Sequence, residues 1–298
     1  MTTISIYKGA GASPTNARLL HQVFSEALHS FGAKIRFINE EHLNDPTQKW
    51  RDQTDVLVIG GGAYGEMKQA VPESSRKGIH DFALEKKTVG ICMGGYGLSA
   101  ATIFQGENIS KTSDGMNVFN GHAIGALPIT PVLYNGNSNS ARIVTLRHNE
   151  LDISFPALYW GGPSFHFTDH TDPRITATTT LKVDYAAEPL TMGVKIQHKE
   201  GGTTLLVGYH SEATKPSYLS GWVGKFKSCE NDFMRFENEI AQNMSGKYYV
   251  GFAALLDDIG IVPGHSFVNQ IINRPEPRHI TVPMRGIDEI TSAPALQF

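Results

Sequence analysis

With 298 residues, 40% of them hydrophobic and 18% charged, the chain has the composition of an ordinary globular protein and enough length for a sizeable core. A formal net charge of −3 excludes the strongly basic footprint that nucleic-acid binding requires. The start, MTTISIYKGAGAS, lacks a signal peptide's charged and apolar pattern, and no apolar stretch approaches the roughly 20 residues of a membrane span. A cytoplasmic protein is expected.

Residues 4–9 (ISIYKG) read as a short strand running into the small-residue loop GAGAS. Ser13 and Pro14 then begin a helix, with a hydroxyl cap followed by proline at the first helical position. Leu20, Phe24, Ala27 and Phe31 give that helix one apolar face, and Gly32 ends it. KIRFI (34–38) is the next strand, completing a β-α-β unit that favours parallel pairing. The nearly continuous apolar run DVLVIGGG (55–62) predicts a strand buried on both faces. Helix follows over 65–87, interrupted at Pro72, and TVGI (88–91) is another buried strand. An open α/β sheet is expected, with its sites at the carboxyl ends of the strands.

The middle of the chain is more β-like, with strands over 141–148 and 175–181. A hairpin over 191–210 turns at Glu200-Gly201-Gly202-Thr203, where two glycines supply positive φ. Residues 228–260 are read as helical at both ends, closing on GFAALLDDIGI. These elements form a domain over 1–260. From 261 the composition turns to proline, arginine and polar residues, a C-terminal extension (261–298) that wraps the domain or mediates assembly. His265, Arg274, Arg278 and Arg285 are read as surface or interface residues of that extension.

Two cysteines make no disulfide framework, and a reduced intracellular protein is the expected context. Cys229 is read as a bystander. Cys92 stands in G-I-C-M-G (90–94), where a strand turns into a helix. Glycines two before and two after a nucleophile are what a sharp elbow needs, since side chains there would clash. His210 and Glu212 follow at the end of a predicted strand, where residues i and i+2 share a face, so the carboxylate is placed to orient the imidazole. Gly61, Gly62 and the amide of Met93 are expected to bind an oxyanion. Together they suggest a thiolate nucleophile, a base and an orienting acid. An inert thiol and a structural His–Glu pair remain the alternative. His166, Asp169 and His170 have some metal-ligand character, but nothing completes the set, so no metal or cofactor is expected.

The elbow around Cys92 and the H-x-E at 210–212 resemble the class I glutamine amidotransferase-like superfamily, with its Cys-His-Glu triad on a flavodoxin-like sheet. More narrowly, YKGAGAS, VLVIGGGAYGEM, GICMGGYG and YWGGPSFHF resemble the N-terminal domain of biotin-protein ligases and its free-standing relatives. The resemblance implies a flavodoxin-like three-layer α/β sandwich with a mostly parallel sheet. It also implies catalytic roles for Cys92, His210 and Glu212, and a substrate pocket lined by Tyr96, Tyr159, Gly161 and Gly162, with Trp160 beside them. Glutamine-hydrolysing members have a glutamine where this chain has Tyr96, which argues against glutamine as substrate. No G-R-G-R run marks a ligase module, and GAGASP lacks the ending of a phosphate-binding loop. The expected function is a cysteine hydrolase or amidase acting on a small amide. The alternatives are a non-catalytic module that binds a metabolite or partner, and an amidotransferase subunit serving a separate ligase or synthetase.

Overall fold

The computed structural model describes residues 1–129, 133–136, 140–169, 171–213 and 250–262. Five strands lie parallel in the order β2-β1-β3-β4-β13: β1 (Thr3–Tyr7), β2 (Lys34–Ile38), β3 (Val56–Ile59), β4 (Lys87–Ile91) and β13 (Thr203–Val207). The apolar runs of β1, β3, β4 and β13 bury two faces at once, as strands covered on both sides must. Ile4, Ile6, Val56, Val58, Val89, Ile91, Leu205 and Val207 share one core, while Tyr7, Leu57, Ile59 and Leu206 belong to the other.

Helix α1 (Pro14–Leu28) covers the first face with Leu20, Val23 and Phe24. Short helices α2 (Glu40–Asn44) and α3 (Lys49–Asp52) precede β3. Helices α4 (Tyr64–Ala70) and α5 (Glu73–Glu85) flank Pro72, where the sequence predicts a break. Ile79 and Phe82 of α5 fill the second core. Helix α6 (Met93–Leu98) leaves the elbow, and α7 (Val250–Asp258) returns to the first face, where Phe252 meets Phe24 edge-on at 5.0 Å. A flavodoxin-like layered α/β fold results.

The sheet continues beyond β13 as an antiparallel half, β12 (Leu190–Gln197), β11 (Ile175–Leu181), β8 (Arg142–His148) and β9 (Ile153–Tyr159), so the nine-stranded sheet is mixed. A second, four-stranded sheet, ordered β10-β7-β5-β6, contains β5 (Ser99–Gly106), β6 (Ile109–Asp114), β7 (Phe119–Gly125) and β10 (Ser164–Phe167). The sequence reading has no strands over 99–125, because these are half-exposed and interrupted by glycine, asparagine and serine. They therefore lack the continuous apolar runs that mark buried strands. The expected extension, apart from Ile261 and Val262, lies outside the described residues, as do Cys229, His265, Arg274, Arg278 and Arg285.

Helix α7 is fastened by a buried polar contact. Leu151 N–H donates to His148 Nδ1 at 3.2 Å, which leaves His148 Nε2–H to donate to Asp258 Oδ2 at 3.1 Å. Removing the acceptor strands a buried donor. Asp258→Ala is therefore expected to lower unfolding stability by about 1–3 kcal/mol, measured by urea titration.

Candidate active site

Four loops at the carboxyl ends of parallel strands converge. The β1–α1 loop brings residues 11–16, the β3 loop 60–62, β4 delivers Cys92, and β13 leads to His210. Cys92 holds φ 52° and ψ −102°, a region side chains rarely occupy, so the elbow is strained. Its N–H bonds to Val207 O at 2.9 Å, and the next turn is pinned by Gly94 N–H to Gly60 O at 3.1 Å. A Cβ on Gly94 would stand 2.1 Å from Ile59 O, and one on Gly90 2.7 Å from Gly94 O. That is the physical reason both flanking positions are glycine.

Cys92 is 8% exposed and its Sγ lies 3.8 Å from the Trp160 carbonyl. His210 also makes a side-chain hydrogen bond to Cys92. On the far side of the imidazole, Nδ1 meets Glu212 Oε1 at 2.6 Å. The pairing does not come from strand alternation as the sequence suggests. Strand β13 ends at Val207, His210 N–H bonds to Leu158 O at 2.8 Å, and a turn closed by Ala213 N–H to His210 O brings Glu212 back. Glu212 is fully buried, and its Oε2 has no partner among the described residues. Burial works against a charged His210, but the Glu212 carboxylate and the neighbouring Cys92 outweigh it and raise the imidazole to about 10.

Asn16 joins the site although the sequence reading omits it. Its Nδ2 donates to Glu212 Oε1, and its Oδ1 accepts Gly61 N–H at 2.8 Å. The Gly61 amide expected in the oxyanion hole is therefore engaged. The amides of Gly62 and Met93 have no partner among the described residues. A signal for Asn16 existed: it stands four residues before Leu20, as a polar residue extending the apolar stripe of α1.

A cavity of about 110 Å³ opens beside Cys92, lined by the 11–16 loop, Gly61, Gly62, Glu66, Tyr134, Trp160 and His210. The biotin-protein ligase N-terminal family model matches residues 2–252. The chain belongs to that family. No curated protein matches it. Among solved structures it is similar to a ThuA-like protein from Bacteroides uniformis at 10% identity and a TM-score of 0.44, over 84% of this chain and 95% of that one. It is also similar to the glutaminase domain of Trypanosoma brucei CTPS with bound acivicin, at 11% identity and a TM-score of 0.44, over 82% and 95%.

In this biotin-protein ligase N-terminal family member, Tyr96, Tyr159, Gly161 and Gly162 do not line the cavity; they brace its wall. Tyr96 O–H donates to Gly161 O at 3.0 Å and Tyr159 O–H to Gly162 O at 2.9 Å. Burial raises both phenols well above their ordinary value, so they remain donors. Gly161 takes φ 74°, and a Cβ there would meet the Tyr134 ring at 2.4 Å. The aromatic side chains that line the cavity are Tyr134 and Trp160, and no motif announced Tyr134. His166 lies on β10 opposite His122, Asp169 is exposed, and His170 is outside the described residues. Among the described residues no group of three or more histidine, cysteine, aspartate or glutamate side chains is set to hold a metal. No helix among them is long and apolar enough to cross a membrane.

Proposed function

We propose that this protein is a cysteine amidase for small amides, with Cys92 as nucleophile, His210 as proton carrier and Glu212 as its orienting acid. The observation that carries this reading is the hydrogen-bonded run Cys92–His210–Glu212 at the floor of a cavity, with the cysteine on a strained elbow. An imidazole raised to about 10 is protonated at neutral pH, which makes it a proton donor beside the sulfur. In this mechanism Sγ attacks the amide carbon, and the carbonyl oxygen takes the negative charge against the Gly62 and Met93 amides. His210 gives its proton to the departing nitrogen as the C–N bond breaks. Neutral His210 then takes a proton from water as the water oxygen attacks the thioester carbon; the C–S bond breaks, the acid leaves, and Sγ is released as the thiolate beside protonated His210, the starting state.

Asn16 supports this reading by holding Glu212 and the 60–62 loop in one network. The same contact occupies the Gly61 amide, and this favours the second reading, a binding module whose triad does not turn over. Ammonia release from a panel of small primary amides separates them. Hydrolysis present in the wild type and reduced by about 10⁴-fold or more in Cys92→Ala supports the amidase. Ligand-dependent stabilisation without ammonia release supports the module.

A further inference from the structure

We propose that Tyr134 sets the length limit of the site beside Cys92: its ring is the partition between that cavity and a second one, and it confines the site to short acyl groups. That the confined molecule is an amide rests on the amidase reading; the partition stands on its own observations.

A second cavity, of about 240 Å³, is lined by Phe104, residues 106–109, Tyr134 and Asn135. Tyr134 is the one described residue that lines both this cavity and the one beside Cys92. Its ring touches an aromatic side chain of each. Trp160 of the first cavity lies 6.4 Å away between centroids, and Phe104 of the second meets it edge-on at 5.6 Å.

The ring is also held by backbone. Gly161 lets it lie flat against the chain, since a Cβ there would stand 2.4 Å from Tyr134 Cδ2. On the other side, Tyr134 O accepts Glu107 N–H at 2.9 Å, which fastens residue 134 to the turn between β5 and β6. Burial, reinforced by the nearby Cys92, raises the Tyr134 phenol above its ordinary value, so it stays a neutral wall beside the sulfur. The consequence is one of size. With the ring in place, the space open to a group attached at Cys92 ends at Tyr134 in this direction. Without the ring, the larger second cavity joins the first, and a phenyl group or a longer chain is accommodated.

The test compares alkylation of Cys92 by iodoacetamide and by its N-phenyl derivative, iodoacetanilide, at pH 9, where an ordinary thiol of pKa about 8.5 is mostly ionised. The two reagents share one reacting carbon, and glutathione supplies the ratio of their rates at an open thiol. In the wild type, the iodoacetanilide-to-iodoacetamide ratio at Cys92 is expected to lie about tenfold or more below that of glutathione. Tyr134→Ala should raise it by about tenfold, while Tyr134→Phe keeps the wild-type ratio, because the ring and not the hydroxyl forms the partition. Tyr134→Leu retains apolar packing and should raise the ratio in part, which covers an alanine variant that does not fold. A wild-type ratio equal to that of glutathione, a ratio unmoved by loss of the ring, or a Cys92 closed even to iodoacetamide overturns the partition. Alkylation needs no turnover, so the two proposals separate. A raised ratio with no amide hydrolysed keeps the partition and removes the amidase; hydrolysis with an unmoved ratio removes the partition alone.

Discussion

His210→Ala is expected to lower turnover of any amide the site accepts by about 10²–10⁴-fold, the usual contribution of a positioned proton carrier. The imidazole touches both Cys92 and Glu212, so its loss removes that link between the acid and the sulfur. Glu212→Gln keeps the shape but removes the charge that raises His210. Because the folded-state value is raised to about 10 against an ordinary 6.5, the imidazolium contributes stability that is fully present below about pH 6.5. That contribution declines as pH rises and is lost through pH 10. The stability gap between wild type and Glu212→Gln should accordingly be wider at pH 6 than at pH 9.5, measured by urea unfolding at both values. A gap that grows with pH contradicts the charge assignment.

Gly94→Ala should disrupt the elbow that presents Cys92, at a cost of about 3 kcal/mol. The new methyl would sit 2.1 Å from the Ile59 carbonyl oxygen, a backbone atom of a central strand. The turn cannot swing aside without releasing Gly94 N–H from Gly60 O. Gly65→Ala is the control. It lies in α4 with nothing within 4 Å of the added carbon, and there the better helix former should stabilise the protein by about 0.5–1 kcal/mol. Opposite shifts in the urea midpoint for two identical chemical changes would tie the glycine requirement to the elbow.

The parallel half of the sheet was legible because strands covered on both faces must be written as apolar runs, as in VLVI and TVGI. The elbow was legible because close backbone approach requires glycine, and the cost of a Cβ at Gly90 and Gly94 shows why. The meeting of His210 and Glu212 was expected for another reason: a turn, not strand alternation, brings them together. The second sheet stayed hidden because its strands are half-exposed, with polar residues on the solvent side. Tyr96 and Tyr159 were read as pocket-lining through the family resemblance; their hydroxyls instead hold the Gly161 and Gly162 carbonyls. Asn16 depends on a partner 196 positions away, and nothing local to α1 names that partner. A polar residue extending its apolar stripe says only that something polar must be buried beneath it.

The most direct test of Cys92 as an activated nucleophile is its alkylation by iodoacetamide at pH 6.5, followed by peptide mass spectrometry. Wild type and His210→Ala would be compared, with Cys229 scored in the same digest. Rapid labelling of Cys92 in the wild type, slowed on the order of tenfold or more in the variant while Cys229 is unchanged, is the predicted result. Equal labelling of Cys92 in both proteins would contradict it, and the cavity would then stand as a binding site alone.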